Sequence, residues 1–107
     1  MAALFAELGK SLPSLRGIIH AAGVVWAQAL DAMDESSFRE VLKPKVQGAW
    51  LLLRLTQPLK PDFFVLFSSC SAVLGASGLG HYAAANHFPD TLAHIRRGMN
   101  LPALSVN

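Results

Sequence analysis

The sequence predicts an α/β fold with a doubly wound parallel sheet, of which about three strands with flanking helices are present. Segments with helical apolar spacing alternate with short apolar runs, in the order helix, strand, helix, strand, helix, strand. Continuous apolar runs are typical of strands inside a parallel sheet, and this alternation favours right-handed crossovers between them. A complete sheet of this class usually has about six strands. We therefore expect the 107 residues to form a single, partial domain.

The composition limits the classes of protein to consider. Hydrophobic residues make up 52% of the chain and charged residues 15%, so a packed core is expected. The net charge is only +2 and the basic residues are scattered, which argues against a nucleic-acid partner. The longest apolar runs, such as Ala49 to Leu53, are far shorter than the roughly 20 residues that cross a bilayer. Cys70 is the only cysteine, so no internal disulfide can form and a reducing, cytoplasmic setting is favoured.

Six elements can be placed along the chain. The predicted bounds are a helix over Ala2–Leu12, a strand over Leu15–Gly23, a helix over Ser36–Thr56, a strand over Phe63–Phe67, a helix that carries Tyr82 to Met99, and a buried strand over Leu101–Val106. Two caps are open for the second helix, namely a capping box of Ser37 with Glu40 or a cap by Asp34. At the end of the third helix, Arg96 and Arg97 complement the helix dipole.

Lys45 is unusual within the second predicted helix. The apolar stripe of that helix consists of Phe38, Leu42, Ala49 and Leu52. Lys45 falls in the middle of this stripe, whereas Lys43 points to solvent. A lysine in such a position must extend its amine to water, pair with another group, or serve a site. Pro44 indicates a kink in the helix or a late start.

Ser69, Tyr82 and Asn86 are candidate site residues. Ser69 stands where the strand Phe63–Phe67 stops, and Tyr82 and Asn86 lie four residues apart on one side of the last helix. The predicted buried stripe of that helix is Phe88, Leu92, Ile95 and Met99, which leaves Tyr82 and Asn86 on a flank outside the core. A hydroxyl that faces a phenol and an amide suits the polarisation and protonation of a carbonyl.

Other familiar sites are excluded by spacing. The glycines at 75, 78 and 80 do not match a dinucleotide loop, and Ser77 lacks the closing glycine of a hydrolase elbow. The histidines at 81, 87 and 94 are six and seven residues apart without a carboxylate or thiol cluster, so no metal site is expected. His20, beside the exit of the first strand, reads either as a structural histidine or as a base.

Five blocks of the sequence resemble a known family. They are RGIIHAAGV, LKPKVQGAW, DFFVLFSS, HYAAAN and LPALSVN, which occur in this order between Leu15 and Asn107. They resemble the ketoreductase domains of modular polyketide synthases and, more distantly, of animal-type fatty acid synthases, in the short-chain dehydrogenase/reductase superfamily. The resemblance implies a Rossmann-like sheet. It also implies NADPH-dependent reduction of a β-ketoacyl thioester, carried on an acyl carrier protein, within a larger synthase polypeptide.

The resemblance assigns roles to individual residues. Tyr82 is the implied general acid, Ser69 the donor to the substrate carbonyl, and Lys45 and Asn86 complete the tetrad. A phenol is protonated near neutral pH, and a nearby ammonium stabilises the phenolate that it leaves. The implied cofactor contacts are His20, Ala21, Ala22, Gly23, Lys45, Ser68 and Tyr82.

Some family features lie outside the chain or differ in it. We expect the glycine-rich cofactor loop upstream of Met1 and the substrate lid after Asn107. The Leu-Asp-Asp motif of one stereochemical class would fall at 25–27 and is absent, and Leu74 replaces the tryptophan of the other class. Pro89 removes the helical bond to the Ala85 carbonyl. Two alternatives stay open: a catalytically incompetent structural fragment of such a domain, and a stand-alone short-chain dehydrogenase, against which the early lysine argues.

Overall fold

The computed structural model describes residues 1–107 and contains three strands and five α-helices. The elements are α1 (Ala2–Glu7), β1 (Gly17–His20), α2 (Glu35–Leu42), α3 (Ala49–Thr56), β2 (Phe63–Phe67), α4 (Ser71–Leu74), α5 (Gly80–Gly98) and β3 (Leu104–Val106). A π-helical segment, Lys43–Gly48, joins α2 to α3 and is called the π-turn below. Short 3₁₀ turns lie at Leu30–Ala32 and Gln57–Leu59.

All three strands are parallel, in the order β1-β2-β3, so β2 is the central strand. The register pairs Ile19 with Val65 and Val65 with Leu104. The predicted α/β class with a partial parallel sheet is therefore confirmed. The carboxyl ends of all three strands lie at the same edge of the sheet, the edge at which ligands bind in folds of this class.

One face of the sheet carries the core. The core residues come from β2, α3 and α5 and are Ala49, Leu53, Phe64, Leu66, Leu92 and Ala93. Arg96 extends this core, because its side chain is fully buried and its guanidinium carbon lies 3.9 Å from the centre of the Phe64 ring. The guanidinium also donates to Thr56 Oγ1 at 3.2 Å, so α5 is bound to the end of α3. Arg96 therefore packs within the core, a role that goes beyond the predicted interaction with the helix dipole.

The opposite face of the sheet is apolar and open. Along each strand the side chains alternate, so the residues that do not face the core share the other face. They are Ile19, Phe63, Val65, Phe67, Leu104 and Val106, and this set is called the open face below. Ile19 is 66% exposed and Leu104 53% exposed. The prediction that β3 is buried is wrong for this reason.

Several local predictions differ from the structure. Ile95 and Met99 are 42% and 47% exposed, so the buried stripe of α5 does not include them. Asp34, rather than Ser37 with Glu40, caps α2: the Ser37 N–H donates to the Asp34 carboxylate at 2.8 Å and the Ser37 hydroxyl accepts from the Asp34 N–H at 3.2 Å. Pro89 lies inside α5, and the helix continues through it from Gly80 to Gly98.

No helix of this chain is both long enough and apolar enough to cross a membrane.

Candidate active site

Lys45 lies on the π-turn and reaches the carboxyl end of β2. Its side chain is buried, with a relative exposure of 4%, and its amine donates to the carbonyl of Phe67, the last residue of β2. Burial lowers the pKa of Lys45 from its ordinary value. An ammonium has three protons, so two remain for other acceptors. Lys43 is exposed, as its position outside the apolar stripe of the predicted helix indicates.

The loop after β1 passes beside this amine. Ala21, Ala22 and Gly23 follow the last residue of β1 and are exposed. A methyl group at the Cβ position of Gly23 would lie 2.8 Å from Lys45 Cε, closer than packed carbon atoms come. The bare backbone of Gly23 therefore leaves the space that the lysine side chain occupies.

His20 ends β1 and points away from solvent. It is 7% exposed, and its Nε2 lies 3.1 Å from the carbonyl of Pro44 in the π-turn. Because a carbonyl can only accept, Nε2 carries the proton. Burial lowers the pKa of His20, the bond to Pro44 raises it, and the positive charge of Lys45 lowers it further. The side chain is thus bonded within the protein, while the backbone of the next three residues is exposed.

Ser68 and Ser69 follow β2 directly. The Ser68 hydroxyl has two acceptors within reach, the Asn86 carbonyl at 2.8 Å and the Asp90 carboxylate at 3.1 Å. Ser69 Oγ accepts from the N–H of Ser71 at 3.2 Å and from its hydroxyl at 3.0 Å. With both contacts donated to it, Ser69 keeps its own proton for a further acceptor. Ser68 therefore fixes α5 to the end of β2, and Ser69 has a proton to donate.

Tyr82 and Asn86 lie one turn apart on α5. Asn86 Nδ2 donates to the Tyr82 carbonyl at 2.8 Å. Asn86 is fully buried, although it lies off the predicted apolar stripe of α5. Its Oδ1 has no partner although it is buried, and such an atom is costly unless a ligand or another group uses it. Tyr82 is half-buried.

These contacts bring three of the four predicted tetrad residues, Lys45, Ser69 and Asn86, to the carboxyl end of β2. Lys45 is held by the carbonyl of Phe67, Ser69 follows two residues later, and Asn86 is held through Ser68. Tyr82 is joined to this group through its own carbonyl. No hydrogen bond links the side chains of Lys45, Ser69 and Tyr82 to one another. The arrangement offers an ammonium and a hydroxyl at one rim, each with a proton to donate, and Tyr82 lies one helical turn before the buried Asn86.

Asp90 was not identified from the sequence, and His81 was considered there only as a metal ligand. Asp90 accepts from Ser68 and from Ser105, so it ties α5 to both β2 and β3. Its position four residues after Asn86 was the available clue, because such residues share a helix face. His81 is 1% exposed, both its ring nitrogens lack a partner, and its ring meets that of Trp26 edge-on at 6.0 Å. No group of three or more metal-ligating side chains occurs in the chain.

A cavity of about 770 Å³ opens beside the start of α5. It lies between the loop 27–31 and the segment 76–80, and the N–H of Gln28 donates to the Gly78 carbonyl at 2.8 Å across it. Gly80, two residues before Tyr82, lines the cavity. Open space is therefore present next to the helix end that carries the phenol.

Comparison with known sequences identifies close relatives. The family model described as the KR domain matches residues 1–107. The low-reducing polyketide synthase drtA of Aspergillus calidoustus is 47% identical over 93 residues, which cover 85% of this chain and 4% of that protein. The polyketide synthase GfsE of Streptomyces halstedii is 42% identical over 107 residues, which cover 100% of this chain and 3% of that protein. The chain thus spans a small part of the relatives that it matches.

Solved structures give the same match. An A-type ketoreductase from a modular polyketide synthase superposes with a TM-score of 0.89 at 39% identity, over 97% of this chain and 22% of that one. The first ketoreductase of the tylosin polyketide synthase gives a TM-score of 0.87 at 42% identity, with the same coverages of 97% and 22%. A short-chain dehydrogenase/reductase from Brucella melitensis gives a TM-score of 0.78 at 18% identity, which shows a common fold alone.

Proposed function

Because the chain belongs to the KR domain family of polyketide synthases, we propose that it supplies the catalytic half of a ketoreductase. Its substrate is a β-ketoacyl thioester carried on an acyl carrier protein, its product is the β-hydroxyacyl thioester, and its reductant is NADPH. The pathway is polyketide or fatty acid biosynthesis, and the rest of the synthase polypeptide is the partner. The solved ketoreductases matched above are much longer than this chain, which supports a larger domain as the working unit.

One observation supports the proposal above all others. Lys45, Ser69 and Asn86 come from three separate segments, and each is tied to the last residues of β2 or follows them directly. Packing does not account for a buried lysine with one partner or for a buried amide oxygen with none. A reaction site at the rim of the sheet accounts for both.

The residues at this rim fit a nicotinamide cofactor. Ala21, Ala22 and Gly23 present an exposed, nearly bare backbone at the carboxyl end of β1. Lys45 lies directly against Gly23, with protons to donate to a ribose hydroxyl. Parallel sheets of this class bind ligands at that end of the strands. We propose that these residues, with His20, Ser68 and Tyr82 around them, hold NADPH, which supplies the hydride when bound.

The residues of the chain supply positioning and the proton. Ser69 donates its free proton to the substrate carbonyl and so polarises it. Tyr82 gives its phenolic proton to the oxygen as negative charge develops there, a positioned transfer that typically contributes about 10² to 10⁴-fold. The ammonium of Lys45 stabilises the phenolate that results. The unpaired Oδ1 of Asn86 accepts a hydrogen bond from a donor of the same site, which completes the tetrad.

The test is a chimera in which this chain replaces the matching segment of the first ketoreductase of the tylosin synthase. We expect NADPH oxidation with a diketide thioester, and we expect the rate to fall on the order of 10² to 10⁴-fold in Tyr82→Phe. Lys43→Ala, which changes an exposed residue two positions from Lys45, is the matched control and should keep the wild-type rate. Turnover that survives Tyr82→Phe unchanged would end the proposal.

A second candidate is that the chain by itself is a catalytically incompetent structural fragment. The open face favours it, because a parallel sheet normally needs cover on both faces before it is rigid. Titration of the chain alone with NADPH, beside the chimera, separates the two. If the chimera alone binds NADPH, the chemistry belongs to the longer polypeptide. If neither protein binds NADPH, the structural role remains.

A further inference from the structure

The end of β1 and the π-turn approach each other in two places, and each approach uses a glycine. The Lys45 side chain, which comes from the π-turn, lies against Gly23 just after β1. The His20 ring, which comes from β1, lies against Gly48 at the end of the π-turn, where a Cβ would stand 3.4 Å from Cε1. The two segments are therefore interlocked, with one long side chain crossing in each direction.

His20 is the member of this interlock that is hydrogen-bonded to the opposite backbone. Its Nε2–H donates to the Pro44 carbonyl at 3.1 Å, one residue before Lys45. The lowered pKa of His20 keeps the ring neutral near pH 7, and a neutral imidazole has a single N–H. That single proton is committed to the π-turn, so the ring has no second donor to offer a ligand.

The π-turn needs such an anchor. Its backbone is wider than an α-helix, and π-helical segments are rare and frequently occur at functional sites. Pro44 has no N–H to contribute to the helix. The Lys45 amine must nevertheless stay at the carbonyl of Phe67 against the cost of its own burial.

We propose that His20 is a positioning residue for Lys45: its bond to the Pro44 carbonyl holds the π-turn against the end of β1, and this keeps the amine at the rim of the sheet. The kinetic meaning of this inference rests on the function proposed above, whereas the structural claim does not. The His20 ring then acts through the backbone of Pro44 and not by contact with substrate or cofactor, so the part of His20 that belongs to the NADPH site proposed above is its backbone.

The test uses the chimera and three variants of His20. Glutamine places its amide nitrogen where Nε2 lies and can donate to Pro44. Asparagine carries the same amide but is one carbon too short, and leucine fills the space without a donor. The first readout is competitive acetylation of lysine amines across a range of pH, with each lysine followed by mass spectrometry. Exposed Lys43 is the internal reference two residues away.

We expect Lys45 to be protected relative to Lys43 in the wild type and in His20→Gln. In His20→Asn and His20→Leu we expect its acetylation to rise several-fold, because the amine is released to solvent. The second readout is kinetic: kcat should fall roughly 10 to 10²-fold in His20→Asn and His20→Leu, with little change in KM for the thioester, and should be restored by His20→Gln.

Unchanged protection of Lys45 in a folded His20→Leu or His20→Asn protein overturns the inference. If His20→Leu does not fold, the asparagine and glutamine variants decide, because they differ in reach and not in polarity. The labelling result stands even if the wild-type chimera is inactive, so failure of the proposed function and failure of this inference can be told apart.

Discussion

At the scale of single residues, Lys45 carries a charge in a position where a charge is costly. Its side chain is 4% exposed, and a backbone carbonyl is its one hydrogen-bond partner. Burial lowers its pKa because the low-dielectric surroundings disfavour the charged form. A buried cation without a counter-ion stabilises the fold no better than a methionine would. The presence of a lysine at this position therefore indicates a role in a reaction.

We predict that Lys45→Met separates stability from activity. The lysine pKa is lower in the folded chain than in the unfolded chain, so wild-type stability rises with pH between those two values. Methionine does not titrate. The variant should therefore be more stable than wild type near neutral pH, and this advantage should shrink as the pH nears the unfolded lysine pKa of about 10.4. Ketoreductase activity of the chimera should fall on the order of 10² to 10³-fold.

Urea unfolding at neutral pH and close to the unfolded lysine pKa measures the difference in stability. NADPH oxidation measures the loss of activity. Lys43→Met is the control, since Lys43 is exposed and should change neither quantity. A Lys45→Met protein that is less stable than wild type at neutral pH, or that reduces substrate at the wild-type rate, contradicts this account.

Gly23 gives a second prediction at this scale. An alanine methyl would lie 2.8 Å from Lys45 Cε, so Gly23→Ala must shift the lysine side chain, and we expect this shift to weaken its bond to the Phe67 carbonyl. A displacement of about 1 Å can cost on the order of 10²-fold in rate, and we expect a loss of that size in the chimera. Gly98→Ala is the control, because no atom lies within 4 Å of its would-be Cβ. Equal rates for the two variants would show that the lysine does not depend on this space.

At the scale of elements, the carboxylate of Asp34 caps α2 and accepts a hydrogen bond from the first turn of that helix. The Ser37 N–H and then the Ser37 hydroxyl lower the pKa of Asp34. Stabilisation from this cap is present above the unfolded aspartate pKa of about 3.9 and is lost as the pH falls through the lower folded value. We predict that Asp34→Ala is less stable than wild type at neutral pH, and that the two converge in acid.

Asp34→Asn is the matched variant for this prediction, because asparagine caps a helix but does not titrate. Its stability relative to the alanine variant should stay constant as the pH falls. Thermal unfolding followed by circular dichroism measures all three proteins. A wild-type advantage over Asp34→Ala that persists unchanged into strong acid would contradict the assignment of the cap.

The elements also show what the sequence could predict. The bounds of β2 agree with the prediction at both ends, because an apolar run of strand-forming residues lies between Pro61-Asp62 and Ser68-Ser69. The strand Leu104–Val106 is shorter than predicted, since only these three residues pair with β2 and the chain leaves α5 through Asn100, which has a left-handed conformation with φ 57°. Local residue chemistry decides the first case and three-dimensional packing decides the second.

The candidate site divides in the same way. The placement of Lys45 on an apolar stripe was visible in the sequence because helical periodicity exposes a charge in the wrong position. The burial of Asn86 was not visible, because its amide nitrogen is bonded within its own helix and the pattern of apolar residues does not report that. The π-turn was not predicted either, since Pro44 allows several backbone conformations and the contact of Pro44 with His20 of β1 is not visible in the sequence.

At the scale of the whole molecule, the chain is extended and has one bare sheet surface. Its radius of gyration is 15.2 Å, whereas a compact domain of this length has about 13 Å. The open face exposes apolar side chains from all three strands. Surfaces of this kind normally mark a contact with other protein. In the chimera, the remaining segments of the ketoreductase are expected to cover it.

We therefore predict that the chain alone associates in solution and binds a hydrophobic dye, and that the chimera does neither. The double variant Ile19→Thr with Leu104→Thr should weaken both effects, because threonine keeps strand propensity while the open face becomes polar. Leu74→Gln is the control: Leu74 is 81% exposed but lies on α4, away from this face. Sedimentation and dye fluorescence measure the outcome, and an equal effect of both changes would show that the open face is not the cause.

The hydrogen bonds at the end of β2 also restrict how this strand can change during evolution. The Phe67 carbonyl and the hydroxyls of Ser68 and Ser69 belong to consecutive residues, and each has a different partner. Exchange of one apolar side chain for another within β2 leaves the order and direction of these three groups unchanged. Insertion or deletion of a single residue would turn each hydroxyl to the opposite side while the amine kept its backbone partner. The identity of the residues in this strand can therefore drift, but the number of residues between Phe63 and Ser69 cannot.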